Sequence, residues 1–567
     1  MALTRTQAAI ACLLTLLGGP ALAARPVPPL IGAVKASDIP AIRALLQKGA
    51  DVNAPDVDGT TALHWAARLD AAAVVDVLIK AGARPNTANR YGVTALSLAA
   101  ANGSGGIIDR LLTAGADANT ATADGETVLM TAARSGSADG VAHLLARGSN
   151  VRATEKRRGT NALMWAAEED HAEVVRLLLA AGAKVEERSR GDYSALLIGV
   201  RSGSLEAVKV LLTAGANVND SAPAGDPNEP ITIGFASKKV PAFAPDALTA
   251  VRTSALVLAM LNGHFTLATW LVNHGADPNA PDPRGSALHA LAWLRKAGLP
   301  LDSGPVRVTF GDPETFALAQ ALLDHGADPN ARIAWKEIAF DKVGGQVRLP
   351  PNIRMGRAWL SYVGATPFWL AAKSSDVPLM RLLLAHGADA SIPAIQNVTP
   401  LMAAAGLGFW DAESPAPQNG TPETDTLEAV QICVERGADV HETTNYGVIR
   451  VHGDPGELRS RYVFPEELPA DGKAYGDMRW AGATALHGAA LRGVNTVVKY
   501  LVEKGARLDA RTRLGWTPLM VADHVFASNV ERSWPETAAY LRDLMKERGL
   551  LADEAPAEAG TAAQDAK

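Results

Sequence analysis

Four side chains of the kinds that bind metal ions stand close together late in the chain. They are His441, Glu442, His452 and Asp454, and imidazole and carboxylate groups are common zinc ligands. Their spacing matches no recognised zinc site. The sequence also has none of the Gly-x-Ser-x-Gly, His-Glu-x-x-His or Gly-x-x-x-x-Gly-Lys motifs of hydrolases and nucleotide-binding proteins. We therefore expect no catalytic residue, no metal and no cofactor.

A second set of residues has the chemistry of a binding surface, because Trp, Tyr and Arg dominate the binding energy of protein interfaces. These residues lie in long segments, of which 335–363 carries five basic residues against two acidic ones. The candidate contacts to a partner are Trp335, Arg348, Arg354, Trp359, Tyr362, Trp410, Arg459, Arg461, Tyr462, Tyr475 and Trp480. The alternative is that the aromatic rings form small cores that hold the segments in place, since apolar packing is their commoner use.

The elements that must position these residues repeat along the chain. The motif Thr61-Ala62-Leu63-His64 returns in degenerate form at steps of 33, 33, 34 and 33 residues, and then at longer steps. The later copies begin at Thr94, Thr127, Asn161, Ser194, Ser254, Ser286, Thr366, Thr399, Thr484 and Thr517. A second motif, whose full form is Gly-Ala-Asp-x-Asn, runs beside it, and its Gly follows the first position of the first motif by 21 residues in eight of the eleven copies. Two motifs at one fixed spacing indicate an array of like units.

Each unit carries the signals of two helices. Thr or Ser at the first position accepts a hydrogen bond from a free N–H at a helix start, where Pro at the next position leaves no N–H unpaired. The Gly of the second motif favours the left-handed conformation that ends a helix, and the Asp and Asn after it favour a turn. One helix pair cannot bury its apolar face, so stacked units must share a continuous core.

These motifs resemble the ankyrin repeat, and the run from Asp170 to Leu179 nearly matches the middle of its pattern. The resemblance extends from Pro28 to about Leu550 and gives twelve units, of which the first is a degenerate cap. It implies an all-α repeat solenoid with short β-hairpin fingers that binds proteins. It also implies structural roles for the histidines of the first motif, with rings that bond neighbouring turns; these are His64, His289 and His487.

The spacing becomes irregular after the sixth unit. The steps from Ser194, Ser286 and Thr399 to the next copy are 60, 80 and 85 residues. We expect the added residues to form long fingers at 221–252, 335–363 and 447–481, and long turns between helices at 296–314, 409–425 and 524–535. Without the last, these segments hold 13 of the 29 aromatic residues of the chain in 132 of its 567 residues, which favours packed over disordered insertions.

The first residues have the layout of a secretory signal peptide. Arg5 precedes an apolar run over 8–17, and the small-residue site Ala21-Leu22-Ala23 follows a helix-breaking stretch. The alternatives are an uncleaved anchor and a buried first helix. Cleavage leaves Cys433 as the single thiol, so we expect no internal disulfide. We expect a periplasmic protein with no membrane insertion after cleavage.

The predicted organisation is a signal peptide at 1–23, regular repeats 1–6 at 24–220, repeats 7–12 with insertions at 221–550 and a disordered tail at 551–567. The net charge of −6 gives no general attraction for nucleic acid.

The predicted function is a scaffold that binds a protein through its concave face and the long fingers of units six to eleven. The alternative is a small-molecule receptor or an enzyme with a pocket under these insertions. The sequence indicates neither the partner nor the oligomeric state.

Overall fold

The computed structural model describes most of the chain. The described residues are 27–223, 231–232, 239–240, 252–282, 285–295, 312–333, 360, 362–408, 421–446, 449–452, 462–465, 480–523 and 534–551. The chain divides into two compact units, Met1–Ala216 (the first unit) and Asn217–Lys567 (the second unit), and each helix pair within them is one repeat. The predicted signal peptide and almost all of the predicted tail lie outside the described residues and stay predictions.

The first unit consists of helix pairs joined by short turns. Its helices are α1 (Pro29–Lys35), α2 (Ile39–Gln47), α3 (Ala62–Arg68), α4 (Ala72–Lys80), α5 (Ala95–Ala101), α6 (Gly105–Thr113), α7 (Val128–Arg134), α8 (Ala138–Ala146), α9 (Ala162–Glu168), α10 (Ala172–Ala180), α11 (Ala195–Ser202) and α12 (Leu205–Thr213). The first helix of each pair contacts the first helix of the next pair, and from α4 onwards the second helices do the same. Consecutive repeats of the first unit therefore share one core along the stack.

The helix ends follow the sequence signals. Asn161 and Ser194 each accept a hydrogen bond from the backbone N–H three residues later, at 3.0 and 3.2 Å. Gly82 and Gly182 follow second helices and have φ angles of +87° and +94°, a conformation that a side chain would strain. The predicted helix starts and stops are thus confirmed at these positions.

The core of the first unit is built from short apolar side chains at equivalent positions. Leu63, Leu96 and Leu129 occupy the same position in consecutive repeats and are all buried, and so are the alanine pairs that follow them. Alanine adds no bulk and loses no side-chain entropy, so the first helices can approach closely. The Leu and Ala positions therefore determine how closely consecutive repeats stack within the first unit.

The second unit is also built from helix pairs. Its helices are α13 (Ala255–Leu261), α14 (Phe265–Asn273), α15 (Ala287–Leu294), α16 (Pro313–Asp324), α17 (Pro367–Ser374), α18 (Val377–Ala385), α19 (Pro400–Ala405), α20 (Glu423–Glu435), α21 (Ala485–Arg492), α22 (Asn495–Glu503), α23 (Pro518–Ala522) and α24 (Pro535–Glu547). A 3-10 turn lies at Ile395–Asn397. Each pair contacts the next, as in the first unit.

Two of the predicted long fingers contain paired strands. At 221–252, β1 (Ser221–Pro223) pairs antiparallel with β4 (Arg252–Ser254), and β2 (Ile231–Thr232) pairs with β3 (Lys239–Val240). At 447–481, β5 (Ile449–His452) pairs antiparallel with β6 (Tyr462–Pro465). The rest of these insertions, and nearly all of 335–363 and the long turns between helices, lie outside the described residues. No helix in the described ranges is long and apolar enough to cross a membrane.

Candidate functional site

Two of the eleven candidate contacts have described side chains, and both are buried. Tyr362 is 7% exposed and Trp480 is 0% exposed. Tyr462 lies on β6 opposite His452, but its side chain is not described. The remaining candidates lie outside the described residues and stay predictions; they are Trp335, Arg348, Arg354, Trp359, Trp410, Arg459, Arg461 and Tyr475.

The two buried rings belong to aromatic clusters in the core. Tyr362 lies 5.0 Å from Trp293 and 5.5 Å, edge-on, from Trp369, measured between ring centroids. Trp480 lies 6.3 Å from Trp516, also edge-on. Such pairs add to the free energy gained by burial. For Tyr362 and Trp480 the predicted surface role is therefore corrected to a role in the core, the alternative that the sequence had left open.

The histidines of the Thr-x-Leu-His motif have the structural role that the resemblance implies. In His64, Nδ1 accepts a hydrogen bond from the Thr61 N–H at 3.1 Å, so the ring proton is on Nε2, which donates to the Val93 carbonyl at 3.0 Å. His289 and His487 repeat this arrangement, and burial lowers the pKa of each to about 4. These rings are neutral near pH 7, and their hydrogen bonds link the start of one helix to the turn before the next first helix.

Of the four side chains with metal-binding chemistry, the structure describes those of His441 and Glu442. The Glu442 carboxylate accepts a hydrogen bond from Asn397 Nδ2 at 2.9 Å, and Asp454 lies outside the described residues. Within the described ranges, no group of three or more His, Cys, Asp or Glu side chains is placed to hold a metal ion. Cys433 is buried, and burial raises the pKa of its thiol to about 12, so it is not a nucleophile.

A buried ion pair joins two helix pairs of the second unit. Arg295 Nε donates to Asp376 Oδ2 at 2.7 Å and Nη2 donates to Oδ1 at 3.1 Å, and both side chains are buried. Arg295 Nη1 also donates to the Thr315 hydroxyl at 2.6 Å, and Asp376 accepts from the Leu379 N–H at the start of α18. Burial raises the pKa of Asp376, and the Arg295 guanidinium opposes this shift. The pair fixes the turns between helices.

A second buried arginine lies close by. Arg492 Nη1 donates to the Ala404 carbonyl at 2.9 Å, and Nη2 donates to the Ser375 hydroxyl at 3.3 Å. Burial lowers the pKa of the Arg492 guanidinium to about 9. The repeat motifs did not predict these two buried arginines, although one departure from the repeat pattern lies beside them. Arg295 and Ser375 stand nine residues after Ser286 and Thr366, at a position that holds Gly103, Gly136 and Gly203 in three regular repeats and Asp70 and Asp170 in the other two.

The finger at 154–160 in the first unit has a fixed backbone. The buried Glu155 carboxylate accepts hydrogen bonds from the N–H groups of Arg157, Arg158 and Thr160 at 2.5, 2.6 and 3.0 Å, and from the Thr160 hydroxyl at 3.0 Å. The Trp165 indole donates to the same hydroxyl at 2.7 Å and so links the finger to α9. Burial alone would raise the pKa of Glu155, but these hydrogen bonds lower it below its ordinary value.

Replacing Glu155 with glutamine is expected to lower the free energy of unfolding of the first unit by about 1–3 kcal/mol at pH 7, because the amide has one oxygen for four donors. The lowered pKa means that the carboxylate contributes fully above its unfolded pKa of about 4.3 and loses its contribution as pH falls through the folded value. Urea unfolding at pH 7 and pH 3 should show the two proteins converging in acid. Exposed Glu173 is the matched control, and a constant difference across pH would contradict the assignment.

The fingers present exposed side chains on one shared frame. Tyr91 is 73% exposed and Val57 is 60% exposed, and both lie in fingers. The backbone N–H of one finger donates to a carbonyl of the preceding finger at three places: from Arg90 to Asp58 at 2.9 Å, from Lys156 to Asp124 at 2.7 Å and from Arg190 to Arg158 at 2.7 Å. These hydrogen bonds tie the finger at 89–93 to that at 56–60, and they tie the three fingers at 122–126, 155–160 and 189–193 to one another.

Aromatic and basic side chains also stack on the first helices of this unit. Lys35 Nζ lies 4.0 Å from the centroid of the half-buried Trp65 ring, and the Arg134 guanidinium lies 4.5 Å from that of Trp165. Contacts of this kind hold a cation over an aromatic face. They give the first helices partly exposed Trp and Arg side chains, the residue types that contribute most to protein interfaces.

The comparisons with known proteins agree with this geometry. The sequence profile described as "Ankyrin repeats (3 copies)" matches residues 7–89, 74–155 and 129–222. The profile described as "Ankyrin repeat" matches residues 253–283, 363–395 and 481–513. The chain belongs to the ankyrin-repeat family. No curated protein matches it at a significant level.

Proposed function

We propose that this protein is an exported, non-enzymatic scaffold that binds a protein partner. Ankyrin repeats are generally protein–protein interaction modules, and ankyrin-repeat proteins are typically non-enzymatic scaffolds. The observation that carries the proposal is the row of fingers in the first unit, joined by backbone hydrogen bonds and bearing exposed side chains such as Tyr91. A surface that is already ordered loses little conformational entropy on binding, which favours affinity.

The proposal includes the whole array of twelve units and its insertions. The long segments at 221–252, 335–363 and 447–481 are proposed to add contacts to those made by the regular repeats and by the concave face that the ankyrin resemblance implies. Support comes from their content of Trp, Tyr and Arg. Trp335, Arg354 and Trp359 are the proposed anchors in the finger at 335–363.

Export to the periplasm is the proposed route to the partner. It is supported by the apolar run at 8–17 and the small-residue site that ends at Ala23. Mass spectrometry of the protein from its native host is expected to find an N-terminus at or within one residue of Ala24. An intact Met1 would contradict export by this signal.

Binding is tested by cross-linking and affinity capture from periplasmic extract, followed by titration of each purified captured protein. One variant replaces 335–359 with a short finger and keeps the buried Tyr362; the other carries Val57→Ala and Tyr91→Ala. Circular dichroism must first show that both fold. Loss of a true anchor is expected to weaken binding by about 2 kcal/mol or more.

The outcomes separate the parts of the proposal. If only the variant at 335–359 loses affinity, the insertion carries the contacts. If it keeps full affinity while the Val57 and Tyr91 variant loses it, the insertion is not the binding site. If no captured protein binds on titration, the scaffold proposal fails.

A further inference from the structure

We infer that Arg157, Arg158 and Arg190, together with Lys156, form a binding site for an acidic segment of a protein. The inference rests on the proposed function, because it assigns the chemistry of one partner to part of the same row of fingers. We call these four residues the basic tip. All of them are exposed, and they lie in the range 27–223, which the structure describes without a gap.

The basic tip brings residues of two consecutive fingers together. The Arg190 N–H donates to the Arg158 carbonyl at 2.7 Å. The side chain of Arg190 lies against Gly159, since a Cβ atom at Gly159 would stand 2.9 Å from Arg190 Cγ. Gly159 also has a φ angle of +67°. Glycine thus allows the second finger to approach the first, and its place between Arg158 and Arg190 keeps the basic residues in one patch.

The charges of the basic tip have no acidic partner within the range 27–223. Two neighbouring arginines are already paired, Arg152 with Glu187 at 2.8 Å and Arg188 with Asp192 at 3.5 Å. Lys156 Nζ donates to a neutral group, the Ala123 carbonyl, at 2.8 Å. These pairs engage the carboxylates of Glu187 and Asp192.

The one carboxylate inside this finger does not cancel the basic tip. Glu155 is buried and is engaged by the backbone N–H groups of Arg157 and Arg158, so it fixes the loop from beneath. Counting Glu155 against the four basic side chains leaves a local charge of +3. The guanidinium groups therefore stand on a rigid loop and are available at its surface.

The chemistry and extent of the basic tip select the ligand. Guanidinium groups bind carboxylates through two parallel hydrogen bonds, so several arginines in one patch suit a run of Asp or Glu. The patch is short, and carboxylates flank it at Asp124 on one side and Asp192 on the other. A long polyanion such as nucleic acid would extend past the patch and meet these carboxylates, whereas a short acidic segment of a protein can lie between them.

The test measures binding of a fluorescein-labelled hexa-glutamate peptide to the full chain by fluorescence anisotropy. The triple variant Arg157→Gln, Arg158→Gln, Arg190→Gln is expected to weaken binding about tenfold or more, and binding to the unaltered chain should fall steeply between about 50 and 300 mM salt. The matched control is Arg43→Gln, Lys48→Gln, Arg84→Gln, which removes the same charge from exposed positions of the same unit. It should change affinity less than twofold.

Three results would overturn the inference. The first is unchanged peptide affinity, or no measurable binding by the unaltered chain. The second is an equal loss in the control variant, which would mean that net charge alone attracts the peptide. The third is equally tight binding of a single-stranded oligodeoxynucleotide that the triple variant also loses, which would assign the patch to phosphate polyanions. Failure of the scaffold proposal is separate, because it appears as no protein partner while the peptide still binds.

Discussion

Replacement of Asp376 with alanine is expected to lower the free energy of unfolding of the second unit by about 3–5 kcal/mol. The substitution leaves the Arg295 guanidinium buried without its carboxylate, and an unpaired buried charge costs far more than the net contribution of a surface pair. It also removes the acceptor for the Leu379 N–H at the start of α18. Both losses act on the turns that join two helix pairs.

Two controls separate these losses. Asp38 caps α2 in the same way, accepting from the Ala41 N–H at 2.9 Å, but it is exposed and has no buried arginine beside it, so Asp38→Ala should cost about 1 kcal/mol. Asp376→Asn keeps an acceptor for the helix start and removes only the charge. The double variant Arg295→Met, Asp376→Ala should lose less than the two single variants together, because each single variant leaves an unpaired buried charge and the double variant leaves none.

The measurement is native-state hydrogen exchange of amides in α17 and α18, combined with urea unfolding of the full chain. Local exchange is needed because units of a repeat array unfold with partial independence. A loss near 1 kcal/mol, equal to that of Asp38→Ala, would show that only the cap matters and that the ion pair adds nothing.

Replacement of Leu178 with alanine is expected to cost about 2–5 kcal/mol in the first unit. Leu178 lies in α10 and is fully buried, as its place in the repeat predicts. This helix contacts α8, α9 and α12, which belong to three consecutive repeats. The cavity left by the smaller side chain therefore opens between three repeats, and their helices cannot all collapse into it.

The matched control is Leu69→Ala, the same substitution at a leucine that is 44% exposed. It should change stability by less than about 0.5 kcal/mol. Amide exchange in α8, α10 and α12 should rise together for Leu178→Ala, since the three helices share one core. A change as small as that of the control would mean that the register of the repeat is wrong at this position.

The repeat made several local features predictable. Each depends on residues within one unit or on the fixed step to the next unit. The capping by Ser194, the positive φ of Gly182 and the tie from His64 to Val93 follow from residue type and from a spacing that recurs along the chain. The same periodicity predicted the burial of Leu178.

The insertions were not predictable in this way, because no period constrains them. Aromatic residues suit both a binding surface and a core, so composition could not decide the positions of Tyr362 and Trp480. Their burial depends on Trp293, Trp369 and Trp516, which lie outside the insertions. The sequence predicted packed insertions, but it did not predict which aromatic rings lie in the core and which lie on the surface.

The sequence by itself determined the helix pairs, their ends and the stacking of like units, since these depend on short-range propensity and on one repeated step. The tertiary structure alone decided which polar groups meet. Arg295 and Asp376 are 81 residues apart, and their pairing follows from the order in which the helix pairs stack. The basic tip likewise exists because two fingers lie side by side, with Arg190 bonded to Arg158. Contacts between units depend on the packing of whole helices, which no single segment of the sequence specifies.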